Sequence, residues 1–203
     1  MGGPEPEWLS RLAGTWSEHH PDWVVEEWSD DNVGELFPLY NQDVYDRAEL
    51  IAPNNVGQLR SDVLRLEILA RFGGVYIDSD FECCKPIDRL IEDRACFVAR
   101  VDDRWINNAI IGCLPGDPFI AALVSDLADN VKRNSGFKPN RMTGPQYLTK
   151  VFNAGDFDVD VLPAELFYPY RWDDLDGHKR DYPDAYAIHH WHNQRREKGV
   201  AAP

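Results

Sequence analysis

Arg71-Phe72-Gly73-Gly74-Val75-Tyr76-Ile77-Asp78-Ser79-Asp80 decides how the rest of the chain is read. Two adjacent glycines stand where a helix must stop, because Gly enters the left-handed conformation of a helix C-terminus without steric cost. Val75-Tyr76-Ile77 then combines β-branched and aromatic residues, as a buried strand requires. Two carboxylates follow at i and i+2. Along an extended chain such residues face one side, so Asp78 and Asp80 are expected to converge where the strand runs out. The carboxyl end of strands in an open α/β sheet is where ligands bind. Paired carboxylates with few other ligands suit Mg²⁺ or Mn²⁺, which take oxygen ligands and keep places for phosphate and water.

Upstream, Val56 to Phe72 reads as the clearest helix. Val56, Leu59, Val63, Leu66 and Ala70 fall within about 80° of one another on a helical wheel. Gln58, Asp62, Arg65 and Leu69 occupy one flank, about 90° from that stripe. There, Asp62 and Arg65 read equally well as a surface ion pair of little energetic weight or as polar groups lining the pocket of Asp78 and Asp80, with Arg65 meeting a phosphate or sugar oxygen. Working outward, a helix is predicted over Pro6–His20, with Pro21 ending it, and a short strand over Trp23–Trp28. Further strands are expected at Cys96–Val101, Asn108–Gly112, Val159–Leu162 and Tyr186–Trp191, and helices at Pro118–Lys132 and Gly144–Phe152. Strands alternating with helices define an α/β domain, and with no internal repeat or linker, residues 1–203 are expected to form one domain.

Asp-x-Asp by itself is weak evidence. The chain carries three more such triplets, 156/158, 158/160 and 174/176, in acidic stretches that read as solvated turns. The helix-Gly-Gly-strand setting singles out 78/80. His189, His190 and His192 near a strand end are further candidate ligands or acid/base groups; on spacing alone, surface or hydrogen-bonded histidines are an equal reading. The four cysteines form no Cys-x-x-Cys pair and read as reduced core residues.

A formal net charge of −14 argues against nucleic acid, whose phosphates would be repelled. An acidic protein holds a diphosphate through an intervening cation or a locally basic pocket, which again points to a divalent metal. No apolar run approaches the roughly 20 residues that cross a bilayer, and the opening residues lack the features of a secretory signal. The chain therefore reads as cytoplasmic.

With these residues placed, the stretch from Arg60-Ser61-Asp62-Val63-Leu64-Arg65 to Asp78-Ser79-Asp80 resembles the core of the DxD sugar-binding glycosyltransferases. These are the relatives of initiating mannosyltransferases, capsular polysaccharide transferases and the clostridial glucosylating toxins. Trp8-Leu9 through Trp28-Ser29-Asp30, Asn107 to Gly112 with Pro115 to Phe119, Thr143-Gly144-Pro145, Phe167-Tyr168-Pro169 and Ala187 to Trp191 follow in that family's order. The resemblance implies a GT-A fold: a mixed, mainly parallel sheet flanked by helices. It implies a metal-dependent hexosyltransferase of the retaining kind, taking sugar from a nucleotide-sugar, UDP- or GDP-hexose first, to a hydroxyl of a glycan, lipid-linked or protein acceptor. Asp80 would ligate Mn²⁺ or Mg²⁺, with Asp78 and His189 beside it. Asp62, Arg65, Tyr76 and Asp78 would bind the donor, and Asn108 would lie near the sugar or acceptor.

Two departures stand against the family pattern. The usual first strand, of the type Ile-Pro-Lys-Ile-Ile-His, is lacking before Pro4, so the GT-A sheet is expected to miss it. The Ser-Trp that many relatives place after the histidines is replaced by Gln194-Arg195; the following Arg195-Arg196-Glu197-Lys198 reads as a solvated end. A degenerate sugar- or metal-binding module of the same fold is therefore the alternative. A metal-dependent phosphohydrolase is a third reading, disfavoured by the helix-Gly-Gly-strand context.

Overall fold

A computed structural model describes residues 7–29 and 32–192; Pro6, Asp30 and Gln194–Lys198, named above, lie outside these. The described residues form two compact units. One comprises residues up to Glu26, Ile77–Asp93 and those from Leu162 onward; the other comprises Glu27–Tyr76 and Arg94–Val161. The fold class is α/β, with a mixed sheet flanked by helices.

The second unit holds the larger core. Helices α2 (Gln42–Asp46), α3 (Ala48–Ile51), α4 (Val56–Phe72), α6 (Pro118–Arg133), α7 (Pro139–Met142) and α8 (Pro145–Ala154) accompany a sheet ordered β1 (Gly74–Ile77), β4 (Ile106–Cys113), β3 (Cys96–Arg100), β5 (Asp160–Leu162). Leu59, Val63, Leu66 and Leu69 of α4, Leu123 and Leu127 of α6 and Ile111 of β4 belong to one buried cluster. Helix α4 coincides with the stretch its periodicity predicts. It stops at Gly73, whose φ of +64° is open to Gly; there the amide of Gly73 bonds the carbonyl of Leu69 at 2.9 Å. A Cβ on Gly73 would also lie 2.6 Å from the Pro115 nitrogen, so the turn is closed to any larger residue. Helix α6 starts on a side-chain cap: Asp117 Oδ1 accepts from the amides of Phe119 and Ile120 at 2.9 and 3.1 Å, with Pro118 in the first turn where its missing N–H costs nothing.

Strands β3 and β4 pair antiparallel, Cys96 with Cys113 through Val98 with Ile111, and then jump to Ala99 with Asn107. Residues 108–110 are the excess on β4, a bulge of the kind that re-aims side chains and frees carbonyls from the ladder.

In the other unit, α1 (Glu7–His19) packs on β2 (Phe81–Cys83), which pairs antiparallel with β6 (Ala187–His189); α5 (Asp88–Ile91) completes it. Trp16 Nε1 donates to the carbonyl of Phe81 at 3.2 Å and Thr15 Oγ1 accepts from the amide of Cys83 at 2.8 Å, fixing the helix to the strand. Buried His20 follows α1: its Nδ1 donates to the carbonyl of Trp16 at 3.0 Å and its Nε2 accepts from the amide of Ile87 at 2.9 Å.

One expectation is corrected. Trp23–Trp28 forms no strand; Val24 is 91% exposed, and an apolar run with no strand beside it to complete its hydrogen bonds has no reason to extend as one. Asp78-Ser79-Asp80 does begin where β1 runs out, and it forms the turn joining β1 to β2. Of the two readings left open for Asp62 and Arg65, the surface pair is excluded: they are 2% and 3% exposed. Among the described residues no helix is long and apolar enough to cross a membrane.

Candidate metal centre and buried polar cluster

The β1–β2 turn brings Asp78 and Asp80 toward β6. It is closed by the amide of Phe81, which bonds the carbonyl of Asp78 at 3.1 Å. Because β2 pairs Phe81 with His189, the histidine is set opposite the residue that follows the motif. One ligand atom from each of Asp78, Asp80 and His189 lies within 4.8 Å of the others. His189 Nε2 is 3.0 Å from Asp80 Oδ1 and 4.0 Å from Asp78 Oδ2.

The imidazole of His189 is buried among rings, with Phe81, Tyr168 and Trp191 centroids 4.7, 5.6 and 4.3 Å away. Both of its nitrogens are inaccessible to solvent and make no hydrogen bond; the 3.0 Å approach to Asp80 has charge-pair distance without hydrogen-bond alignment. A buried imidazole left so is costly, and the cost falls away where a ring nitrogen meets a cation. Asp80, 9% exposed, would have its carboxyl pKa raised by burial. The opposing charge and close approach of His189, with the hydrogen bond from the His192 amide, outweigh that and hold it down to about 2. The site therefore keeps an ionised carboxylate beside a histidine, a donor set suited to a hard or borderline divalent ion.

The other two histidines are occupied differently. His190 bridges Glu82 Oε2 at 2.8 Å and Tyr170 Oη at 3.0 Å. His192 gives its amide to Asp80 Oδ2 at 2.8 Å, while its ring lies 4.4 Å from that of Trp8. Between them Trp191 turns into the left-handed region, φ 56°, rare for so large a side chain, and its indole donates to the carbonyl of Tyr170 at 2.9 Å. That turn ends β6 after His189, so the alternation an extended strand would impose on all three histidines does not hold.

The second unit carries its own polar cluster, built on α4. Asp62 Oδ1 lies 3.0 Å from Arg65 Nη2 and accepts from Asn108 Nδ2 at 2.8 Å, while Oδ2 accepts from Thr143 Oγ1 at 2.8 Å. Arg65 donates to Ser61 Oγ at 3.0 Å and to the carbonyl of Asn108, which the β4 bulge frees from the ladder. Its guanidinium stands 4.7 Å from the centroid of Tyr76, whose hydroxyl shares a 3.2 Å hydrogen bond with Ser61. A buried ion pair is tolerated where further hydrogen bonds support it, and here they come from α4, β4 and the Thr143 turn. Gly144 permits the last contact: a Cβ there would lie 3.0 Å from the Asn140 backbone and 3.4 Å from Asp62 Oδ2.

Of the residues expected at the site, Asp78, Asp80 and His189 thus gather in one unit, and Asp62, Arg65, Tyr76 and Asn108 in the other. Sequence reasoning missed Ser61 and Thr143 as members of the second cluster, and Glu82 and Tyr170 as partners of His190. Single Ser, Thr or Tyr residues carry no spacing signal. Members of the other Asp-x-Asp triplets meet basic residues instead: Asp160 lies 3.5 Å from Arg94, Asp174 pairs with Arg180, and Asp176 lies 2.7 Å from Lys179.

The fold is that of a GT-A glycosyltransferase domain: a solved structure, the PaToxG glycosyltransferase, superposes with a TM-score of 0.58 at 16% identity, covering 75% of this chain and 65% of that one. Residues 6–97, which include the Asp78-Ser79-Asp80 turn, belong to the family described as the glycosyltransferase sugar-binding region containing a DXD motif. Inositol phosphoceramide mannosyltransferase 3 of Schizosaccharomyces pombe is 30% identical over 177 residues, 84% of this chain and 41% of that protein. Human alpha-1,4-N-acetylglucosaminyltransferase is 28% identical over 185 residues, 80% of this chain and 49% of that protein. Human lactosylceramide 4-alpha-galactosyltransferase is 28% identical over 155 residues, 66% and 41% respectively. The chain thus spans less than half the length of each of these relatives.

Proposed function

We propose that this chain is a metal-dependent glycosyltransferase that moves a hexose from a nucleotide-sugar, UDP- or GDP-linked, to an acceptor hydroxyl with retention of anomeric configuration. The observation that carries the reading is His189: a buried imidazole facing two carboxylates, with one ligand atom of each of the three residues within 4.8 Å of the others. Mn²⁺ or Mg²⁺, held by Asp78, Asp80 and His189, would act as a Lewis acid offsetting charge on the departing diphosphate.

The chain's own groups supply the rest. The His192 amide orients Asp80 and, with His189, keeps its carboxyl ionised. Rings packed around His189 limit water at its nitrogens, which strengthens electrostatic contacts there. Asp62 and Arg65, fixed by Asn108, Thr143 and Ser61, are assigned to sugar hydroxyls, where a preorganised ion pair loses little entropy on binding. Tyr76 is assigned to the nucleotide. No side chain of the two clusters is assigned as a covalent nucleophile. The relatives' names, all of them sugar transferases and two of them naming a ceramide lipid, favour a glycan or lipid-linked hydroxyl as acceptor.

The test is thermal stability against UDP-, GDP-, dTDP- and CDP-sugars, with and without Mn²⁺. A ligand at 100 times its dissociation constant adds about 2.7 kcal/mol. Stabilisation by one nucleotide class, only with metal, supports the reading. Equal stabilisation with and without Mn²⁺ overturns the metal assignment. For the binding class, the anomeric configuration of the product, read by NMR, decides retention, and binding without turnover identifies the non-catalytic alternative.

A further inference from the structure

The second unit contains a groove of about 380 Å³ between α6, α7, α8 and the turn before β4. Its lining is unusual for a chain with 35 acidic against 21 basic residues: it includes Arg133, Arg141 and Lys150 and no carboxylate. Asn130, wholly buried, is the centre of its wall. Asn130 Nδ2 donates to the carbonyls of Arg141 and Met142 at 3.2 and 2.7 Å. Its Oδ1 accepts from Lys150 Nζ at 3.1 Å and from Asn134 Nδ2 at 3.0 Å. Asn134 Oδ1 in turn accepts from Arg141 Nε at 2.9 Å.

Two cations are therefore positioned by neutral amide oxygens. Among the described residues neither Arg141 nor Lys150 has a carboxylate partner, whereas Arg133 is paired with Asp126 at 2.6 Å. One Nζ–H of Lys150 and one N–H of Arg141 are spent on amides, leaving further donors of each available. Uncompensated charge in a concave site concentrates an oppositely charged ligand. The remaining lining is suited to a hydroxyl-rich ring: the amides of Gln146 and Asn153 and the half-buried indole of Trp105. Indole and amide groups together recognise a ring that has an apolar face and polar edges.

We propose that this groove is a second ligand site, for a saccharide bearing an oxyanion, with Arg141 and Lys150 taking the anion and Trp105 with the amides taking the ring. Phosphate and carboxylate share this chemistry, and the assay separates them. The inference rests on these residues alone and is independent of the transferase reading.

The test is an NMR titration of the ¹⁵N-labelled protein in EDTA, so that no metal is present at Asp78, Asp80 and His189. The Trp105 indole resonance is assigned by Trp105→Phe. Probes are glucose 6-phosphate, glucuronate, glucose and inorganic phosphate. Glucose 6-phosphate or glucuronate is expected to shift the Trp105 indole and to bind at least about tenfold more tightly than glucose, as one charge-assisted contact implies; which of the two binds identifies the anion. Arg141→Gln/Lys150→Gln is expected to weaken that binding at least tenfold. Gln146→Glu, at an exposed position of α8, should do the same by repulsion and keeps the test valid where the double variant fails to fold. Glucose binding as tightly as the charged sugars, affinity unchanged in the variants, or no shift with any probe would overturn the proposal. Inorganic phosphate binding as tightly as glucose 6-phosphate would overturn its saccharide half.

Discussion

His189 sits where two demands meet: the aromatic packing around it excludes water, and its nitrogens have no protein hydrogen bond. Replacing it with Ala removes the imidazole we propose as a ligand and leaves Asp80 without its charge partner. We expect His189→Ala and Asp80→Asn each to lower Mn²⁺ affinity by at least the roughly 10–100-fold that loss of an outer-shell partner alone produces, measured by calorimetry, with the far-ultraviolet circular dichroism unchanged. Parent-like Mn²⁺ binding in Asp80→Asn would remove the turn from the metal site. The cysteines make a second prediction at this scale. All four are free, and burial raises the thiol pKa of Cys83 and Cys113 to about 12, that of Cys84 to about 11, and that of Cys96 further still. Only the thiolate reacts, so at pH 8 the native protein should be nearly inert to a disulfide reagent, while all four thiols react after denaturation. Four rapid equivalents from native protein would contradict the burial.

At the scale of elements, α4 and the turn after it carry the architecture of the second unit. The stripe from Val56 to Ala70 was legible as a core face because burial imposes a 3.6-residue period on apolar side chains. Asp62 and Arg65 were not legible as buried, since the wheel places them beside the stripe and cannot register that β4 and the Thr143 turn cover that flank. Removing one partner of such a pair leaves a buried charge: Arg65→Met should cost about 3–5 kcal/mol. The double variant Asp62→Asn/Arg65→Met should cost less than the sum of the singles, by about 0.5–3 kcal/mol of coupling, read from urea denaturation. Strict additivity would show that the two do not interact. Gly73→Ala tests the turn. At φ 64° and ψ −150° the backbone of Gly73 is essentially closed to other residues and costs them about 1–3 kcal/mol, and the clash with Pro115 adds about 1–3 kcal/mol. A variant as stable as the parent would mean that the turn relaxes.

On the scale of the whole molecule, a net charge of −14 sets a background of self-repulsion against which every local contact acts. Monovalent salt screens it, so raising NaCl from about 20 to about 200 mM should raise the thermal midpoint before any specific ion is added; a midpoint that fell would show that attractive surface pairs dominate instead. The sequence by itself determined the α/β class, the bounds of α4 and the choice of 78/80 over three rival triplets. Each of these is a local property: a periodicity, a pair of glycines, an apolar run beside carboxylates. Pairing partners are not local. Phe81 opposite His189, the excess residues at Asn108 and the left-handed turn at Trp191 come from contacts more than a hundred residues apart or from a ladder slipping against its neighbour. Only the tertiary structure decided that His189 and not His190 faces the carboxylates, that Asp62 and Arg65 are buried, and that Trp23–Trp28 forms no strand. A histidine's role, a charge's burial and a strand's existence are fixed by what lies across from them, and no single stretch of chain contains that.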